Sequence, residues 1–271
     1  MARRLPGHRG RTLVLIYHAV HATLDAWKKQ EAADRWYAVT ADQFHKQMEH
    51  LSRAGYATSL LGEFLAQKTP PKSVILTFDD GHESNFVVAL PILQRFGFRA
   101  DFFVTVANIG RPGFMNWEQL RLLLDAGMSV QSHGLHHRDL TGIREDLLAD
   151  ELRTAKDRLE CNLARPVKYF AIPGGFADRG VYLAARAAGY EAICNSEPGL
   201  ARSGEVIARV GIMHSTSQTA FQGLVQRRFF RLLQMRAQRK FGKIGKTLLG
   251  VRRYEALKRL RLSSSRSGGD V

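Results

Sequence analysis

Cysteine is scarce in this 271-residue chain: only Cys161 and Cys194 occur, and they form no CxxC spacing. Two thiols cannot build a disulfide framework, so both read as small core residues in a reducing compartment. Long hydrophobic runs are missing as well. The longest, such as Leu13-Val14-Leu15-Ile16-Tyr17 and Ser73-Val74-Ile75-Leu76, are strand-sized and fall far short of the ~20 residues that cross a bilayer. Eight prolines and 24 glycines exclude a collagen-like or proline-rich chain over most of the length. The start, Met1-Ala2-Arg3-Arg4, opens as a signal peptide does, but Arg9 and Arg11 interrupt any apolar stretch of signal length. The expectation is a cytoplasmic protein, peripheral at most on the inner face of a membrane, without a transmembrane segment.

What is present is an ordinary globular composition, 45% hydrophobic and 24% charged. The formal net charge of +15 is unevenly placed. Residues 227–271 hold fourteen Lys/Arg against Glu255 and Asp270, whereas residues 1–226 hold 26 basic and 23 acidic side chains. The body is nearly neutral and the basic character belongs to a tail. There Phe241, Ile244, Leu248, Val251, Tyr254, Leu257 and Leu260 recur every three or four residues between the cations. This predicts a basic amphipathic helical tail over 221–262, interrupted by Gly242, Gly245 and Gly250, with a disordered end at 263–271. Such a tail, in particular 227–262, suits an anionic membrane surface, each basic residue contributing on the order of 1 kcal/mol there. No zinc finger or other nucleic-acid module accompanies it, so a membrane ranks above nucleic acid as its partner. A basic helix packed on the body with its charges in solvent carries comparable weight.

Between residues 12 and 220, strand-like runs alternate with helical patterns. Strands are predicted at 13–17, 73–78, 100–106, 128–131 and 169–172. Helices are predicted from Thr40 or Asp42 to Gly55, then at 85–96, 117–126, 145–163 and 181–188. The repeated strand–helix order argues for parallel strands covered by helices, as an α/β barrel or an open doubly wound sheet. In either, chemistry gathers at the carboxyl ends of the strands.

Two clusters lie at such ends. The first is Thr77-Phe78-Asp79-Asp80-Gly81-His82. Adjacent carboxylates there are costly unless a cation or hydrogen bonds hold them, although Asp-Asp-Gly is also common turn chemistry. The second is Ser132-His133-Gly134-Leu135-His136-His137. His133 and His137 are four residues apart, so one turn or a tight loop points both imidazoles the same way. A carboxylate and two imidazoles supply three ligands and leave positions open for water and substrate.

Thr77-Phe78-Asp79-Asp80-Gly81 resembles the first motif of the polysaccharide deacetylase family, and His133 with His137 resembles its second. Leu15-Ile16-Tyr17-His18-Ala19-Val20 and Asn116-Trp117-Glu118-Gln119-Leu120 are similar to further family segments, so the resemblance spans about 12–220. It implies a distorted (β/α) barrel of about seven strands. It also implies metal-dependent hydrolysis of an N-acetyl, or O-acetyl, group on a saccharide. Carried over position by position, Asp80, His133 and His137 would hold a divalent ion, zinc before cobalt or another, and Asp79 would be the general base. Pro173 matches the third motif, and Gly174 stands where that motif, which usually has Tyr or Phe there, would offer an oxyanion-binding N–H. The arginine of that motif is absent, and so is the fourth motif that would orient it against Asp79; Arg209 is one candidate substitute, grouped with Pro173 and Gly174 on the oxyanion or substrate side. His214 is the general-acid candidate from the fifth motif. His18 ends the first strand and so can face the pocket, but is expected first to pack or hydrogen-bond at the barrel floor. His82 and His136 are expected to back the ligands or stand exposed with no ligand role, and Trp117 to pack its helix rather than stack on a sugar. A deformylase or small cyclic-amide hydrolase on the same site, and a catalytically degenerate membrane-associated protein, are the alternatives.

Overall fold

In the computed structural model, which describes residues 11–29 and 35–226, the apolar runs pair side by side as parallel strands. β1 (Arg11–Tyr17), β2 (Ser73–Phe78), β3 (Asp101–Val104), β4 (Ser129–Ser132), β5 (Tyr169–Ala171) and β6 (Ala192–Cys194) adjoin in chain order. β7 (Val206–Ile207) continues from β6, and β8 (Val210–Gly211) pairs with β1 on the opposite edge. Only Ala208 and Arg209 separate β7 from β8, so one extended segment changes partners and brings the two edges together. Ala201–Arg202 adds an antiparallel pairing to the start of β1. The result is a nearly closed, distorted (β/α) barrel with six strands and a seventh split in two.

Strands buried on both faces read as continuous apolar runs, and β1 and β2 follow that rule. Alternate residues still separate the faces. Val14, Ile75, Phe103, Ala171, Cys194 and Ile207 share one buried cluster inside the barrel. Tyr17, Phe78 and Phe102 point outward. Phe78 stacks on Phe102 at 4.8 Å between centroids, and Tyr17 meets Phe44 edge-on at 5.0 Å. Phe44 belongs to α1 (Ala41–Arg53), whose start is fixed by a capping box: Gln43 N–H donates to Thr40 Oγ1, and Thr40 N–H donates to Gln43 Oε1.

The predicted helix at 85–96 is instead a π turn (Asn85–Ala89) running into α2 (Leu90–Arg95). Pro91 has no N–H to give to the regular ladder, which accounts for a change of register here. α3 (Trp117–Asp125), α4 (Glu145–Leu163) and α5 (Arg179–Ala187) lie within two residues of their predicted bounds. α6 (Gln218–Val225) crosses the boundary placed at residue 220. Its Phe221 is buried, and the Tyr56 hydroxyl donates to Val225 O at 3.0 Å. The tail expected at 227–262, and the ends at 1–10 and 263–271, lie outside the described residues. Among the described residues, no helix is long and apolar enough to cross a membrane.

Candidate active site

The parallel register decides which residues meet at the carboxyl rim. Tyr17 pairs with Phe78, and Asp79 N–H donates to Tyr17 O at 2.9 Å, so His18 and Asp79 emerge side by side. His133 N–H donates to Val104 O at 2.9 Å and sets the second motif beside β3. After Asp79 the chain turns sharply, with Asp80 at φ +74° and Gly81 at φ +83°. A β-carbon at Gly81 would stand 3.1 Å from Val104 Cγ1, so the turn requires glycine on both steric and dihedral grounds. Asp80, a non-glycine residue in the left-handed region, is held against its own preference, as is His137 at φ +54°. Each such residue costs about 1–3 kcal/mol, and such residues cluster where function fixes the backbone.

Asp80, His133 and His137 bring one oxygen and two nitrogens within 4.8 Å of one another. His137 Nε2 lies 3.1 Å, and His133 Nε2 3.3 Å, from Asp80 Oδ1. That oxygen is buried and has no hydrogen-bond partner. His133 Nδ1 is 2.8 Å from Ala171 O, which can only accept, so Nδ1 carries the proton. A neutral ring then turns the Nε2 lone pair toward a carboxylate oxygen. Two acceptors facing each other across 3.3 Å are unfavourable until a cation or a proton stands between them. This donor set therefore fits a divalent ion. Burial would raise the Asp80 pKa, but contacts with His133, His137 and His82 hold it well below the carboxylate range. His137 is raised, chiefly by Asp80.

Asp79 is engaged differently. Arg209 Nη1 reaches its Oδ1 and Nη2 its Oδ2, each at 2.8 Å, while Nη1 also donates to Thr77 Oγ1 and Nε to Asn195 O. Arg209 is 0% exposed and lies over the Phe103 ring, 5.1 Å from its centroid. Burial pushes the Asp79 pKa up, yet the Arg209 charge overrides it and the carboxyl stays below its usual value. Arg209 thus grips both oxygens of Asp79, the pairing sought from a substitute for the missing motif arginine.

His18 and His214 also part company. Val14 faces the barrel interior, so the period of two turns Ile16 and His18 inward as well. His18 is buried enough that its pKa is lowered, against the opposing pull of Asp80 and Asp79, and its Nδ1 has no hydrogen-bond partner. His214 lies farther along the rim. Its ring stacks on Trp27 at 3.8 Å, its N–H donates to Trp36 O, and burial alone lowers its pKa. Of the two readings of His18, the register favours the pocket-facing one over the barrel floor, because it follows the last paired residue of β1. The inward parity of Val14 and Ile16 was the available signal.

Pro173 and Gly174 form a tight turn after β5, with Gly174 at φ +65°. Pro173 Cγ comes within 3.7 Å of where a β-carbon on Gly134 would stand, so this turn packs against the histidine loop. His82 Nε2 lies 3.5 Å from Asp80 Oδ2 and its ring stacks on Phe114. Trp117 is partly buried at the start of α3.

Comparison with known proteins agrees with this arrangement. The sequence pattern of the family described as "Polysaccharide deacetylase" matches residues 66–193. The Bacillus subtilis protein YxkH, which bears the name polysaccharide deacetylase provisionally, is 25% identical over 221 residues, 79% of this chain and 75% of its own. A Staphylococcus aureus poly-beta-1,6-N-acetyl-D-glucosamine N-deacetylase is 27% identical over 157 residues, 51% of this chain and 54% of its own. Among solved structures, the Streptococcus pyogenes deacetylase PplD in complex with acetate superposes with a TM-score of 0.71 at 25% identity, covering 80% of this chain and 97% of that one. A Bacillus cereus polysaccharide deacetylase gives 0.69 at 26%, covering 79% and 69%. Barrel, rim chemistry and likeness converge: residues 66–193 carry the polysaccharide deacetylase pattern, in a fold similar to solved deacetylases and with Asp80, His133 and His137 placed to hold a metal ion.

Proposed function

We propose that the protein de-N-acetylates the amino sugars of a polysaccharide or glycolipid-linked saccharide, with Asp79 as general base and Asp80, His133 and His137 as the ligands of one zinc ion. The observation that carries this reading is the unpartnered Asp80 Oδ1 facing two imidazole nitrogens, beside a second carboxylate clamped by an arginine. A divalent ion bound there supplies Lewis acidity, acidifying water and polarising the acetyl carbonyl. Asp79, ionised and oriented by Arg209, takes the proton of the attacking water. The Gly174 backbone N–H is offered to the developing oxyanion. His18 delivers a proton to the leaving amine; the burial that lowers its pKa makes its protonated form a stronger acid. His214, stacked on Trp27, supports the rim.

The test is acetate release from N-acetylglucosamine oligomers by purified protein, with metal content measured on the same samples, before and after chelation. One ion per chain and chelator-sensitive release are expected. Asp79→Asn should keep the ion and lose turnover by a factor on the order of 100 or more, and His18→Asn should lose more activity than His214→Asn. Full activity in Asp79→Asn would refute the base assignment. Faster turnover of N-formyl than of N-acetyl oligomers would turn the reading toward a deformylase.

A further inference from the structure

α4 packs on the barrel through Leu148, Leu152, Ala155 and Leu159, yet a glutamate stands in the same stripe. Glu151 is 3% exposed. A buried carboxylate on an apolar helix face is costly unless its oxygens are fully used. Here they are used on one target. Oε1 accepts from the backbone N–H of Leu135 at 3.0 Å and of His136 at 2.6 Å, and Oε2 lies 2.8 Å from His136 Nδ1 and 3.2 Å from Arg138 Nε. Successive backbone N–H groups converging on one oxygen make an anion-holding concavity. This one lies in the four-residue step between His133 and His137.

The opposite side of the loop is fixed too. Val106 N–H donates to Gly134 O and Ala107 N–H to Leu135 O, at 3.1 and 2.8 Å. His133 is anchored separately, by its backbone to Val104 and by its ring to Ala171. The His137 ring meets Asp80 and the backbone of its own residue, not a neighbouring strand as His133 does. Its place depends on the backbone that leads to it, which must hold a left-handed residue.

We propose that Glu151 is the positioning residue of the metal centre: its carboxylate, reaching in from α4, clamps the 134–136 backbone and so sets His137 against Asp80 and His133. The inference rests on the metal-dependent reading above and adds to it a residue outside the sequence motifs. It follows that replacing the carboxylate loosens one ligand of three while leaving all three side chains in the protein. Loss of such an outer partner typically weakens metal affinity on the order of 10–100-fold.

The experiment is competition of zinc and of cobalt against a chromophoric chelator, on the full-length wild type, Glu151→Gln and Asp80→Ala, with thermal melts of the metal-free proteins. Glu151→Gln should bind both ions about 10–100-fold more weakly than wild type, and its acetate release should recover as zinc is raised. Asp80→Ala should not recover. Equal affinity in wild type and Glu151→Gln, even with a lowered melting temperature, would overturn the inference alone and leave Glu151 a packing residue. A wild type that binds neither ion would overturn the metal reading and the inference together. Should Glu151→Gln not fold, Glu151→Asp, which withdraws the carboxylate by one methylene, carries the same expectation of weakened binding.

Discussion

At the scale of single residues, the site is a division of labour between neighbours. Asp79 and Asp80 are adjacent in sequence, yet one faces a fully enclosed arginine and the other two imidazoles. Removing one partner of a buried ion pair typically costs about 3–5 kcal/mol, because the survivor stays buried and uncompensated. Arg209→Met should therefore lower the unfolding free energy by that order in urea titrations at pH 7. The difference should shrink in acid: Asp79 has a depressed folded pKa, so the pair stabilises above the unfolded carboxylate pKa and the contribution is lost as pH falls through the folded one. Arg209→Lys keeps a charge but not the two-pronged geometry, and should lower kcat while leaving metal affinity unchanged. The acidic and histidine motifs were legible because each is a contiguous run with its own chemistry. Arg209 could be named only as a substitute for something missing, since its partner is chosen by strand register and lies 130 positions away.

At the scale of elements, the opposite end of the barrel holds another buried acid. Asp101 opens β3 and accepts from Leu61 N–H at 2.9 Å. Its other oxygen has no partner. Burial, with Glu63 adding to it, outweighs Leu61, Ser129 and Arg99 and pushes its pKa up to about 7. A raised folded pKa stabilises fully below the unfolded value, about 3.9, and loses that contribution as pH climbs through 7. Melting curves of wild type should thus decline from pH 5 to pH 8, and Asp101→Asn, which keeps an acceptor for Leu61, should flatten the decline. A parallel decline in both proteins would refute this. The long elements showed in the sequence, β2 and α4 at their full bounds, because a long run averages over exceptions. β6, β7 and β8 have two or three residues each, too few for any period to appear, and their pairing is decided by the closing barrel.

At the scale of the whole molecule, the near-neutral body and the basic segment beyond residue 226 invite separate tests. If the segment holds the protein on anionic lipid, full-length protein should float with phosphatidylserine-containing vesicles at low salt and a chain ending at Gln226 should not. Binding should fall steeply with ionic strength, since exposed charges are screened beyond about 8–10 Å at physiological salt. Equal flotation of both chains would remove the segment from membrane attachment.

The segment that changes partners between β7 and β8 has a further consequence, in time rather than space. Contacts between residues far apart in sequence form late, because a long loop must close before they contribute. Arg209 is carried by the last stretch to enter the barrel, and its partner has by then been made 130 residues earlier. As the chain leaves the ribosome, Asp79 waits in an open sheet without its cation. Closing the barrel and pairing Asp79 with its cation are thus one event, so if Asp79 is the base as proposed, a growing chain has no oriented base until its final strand arrives.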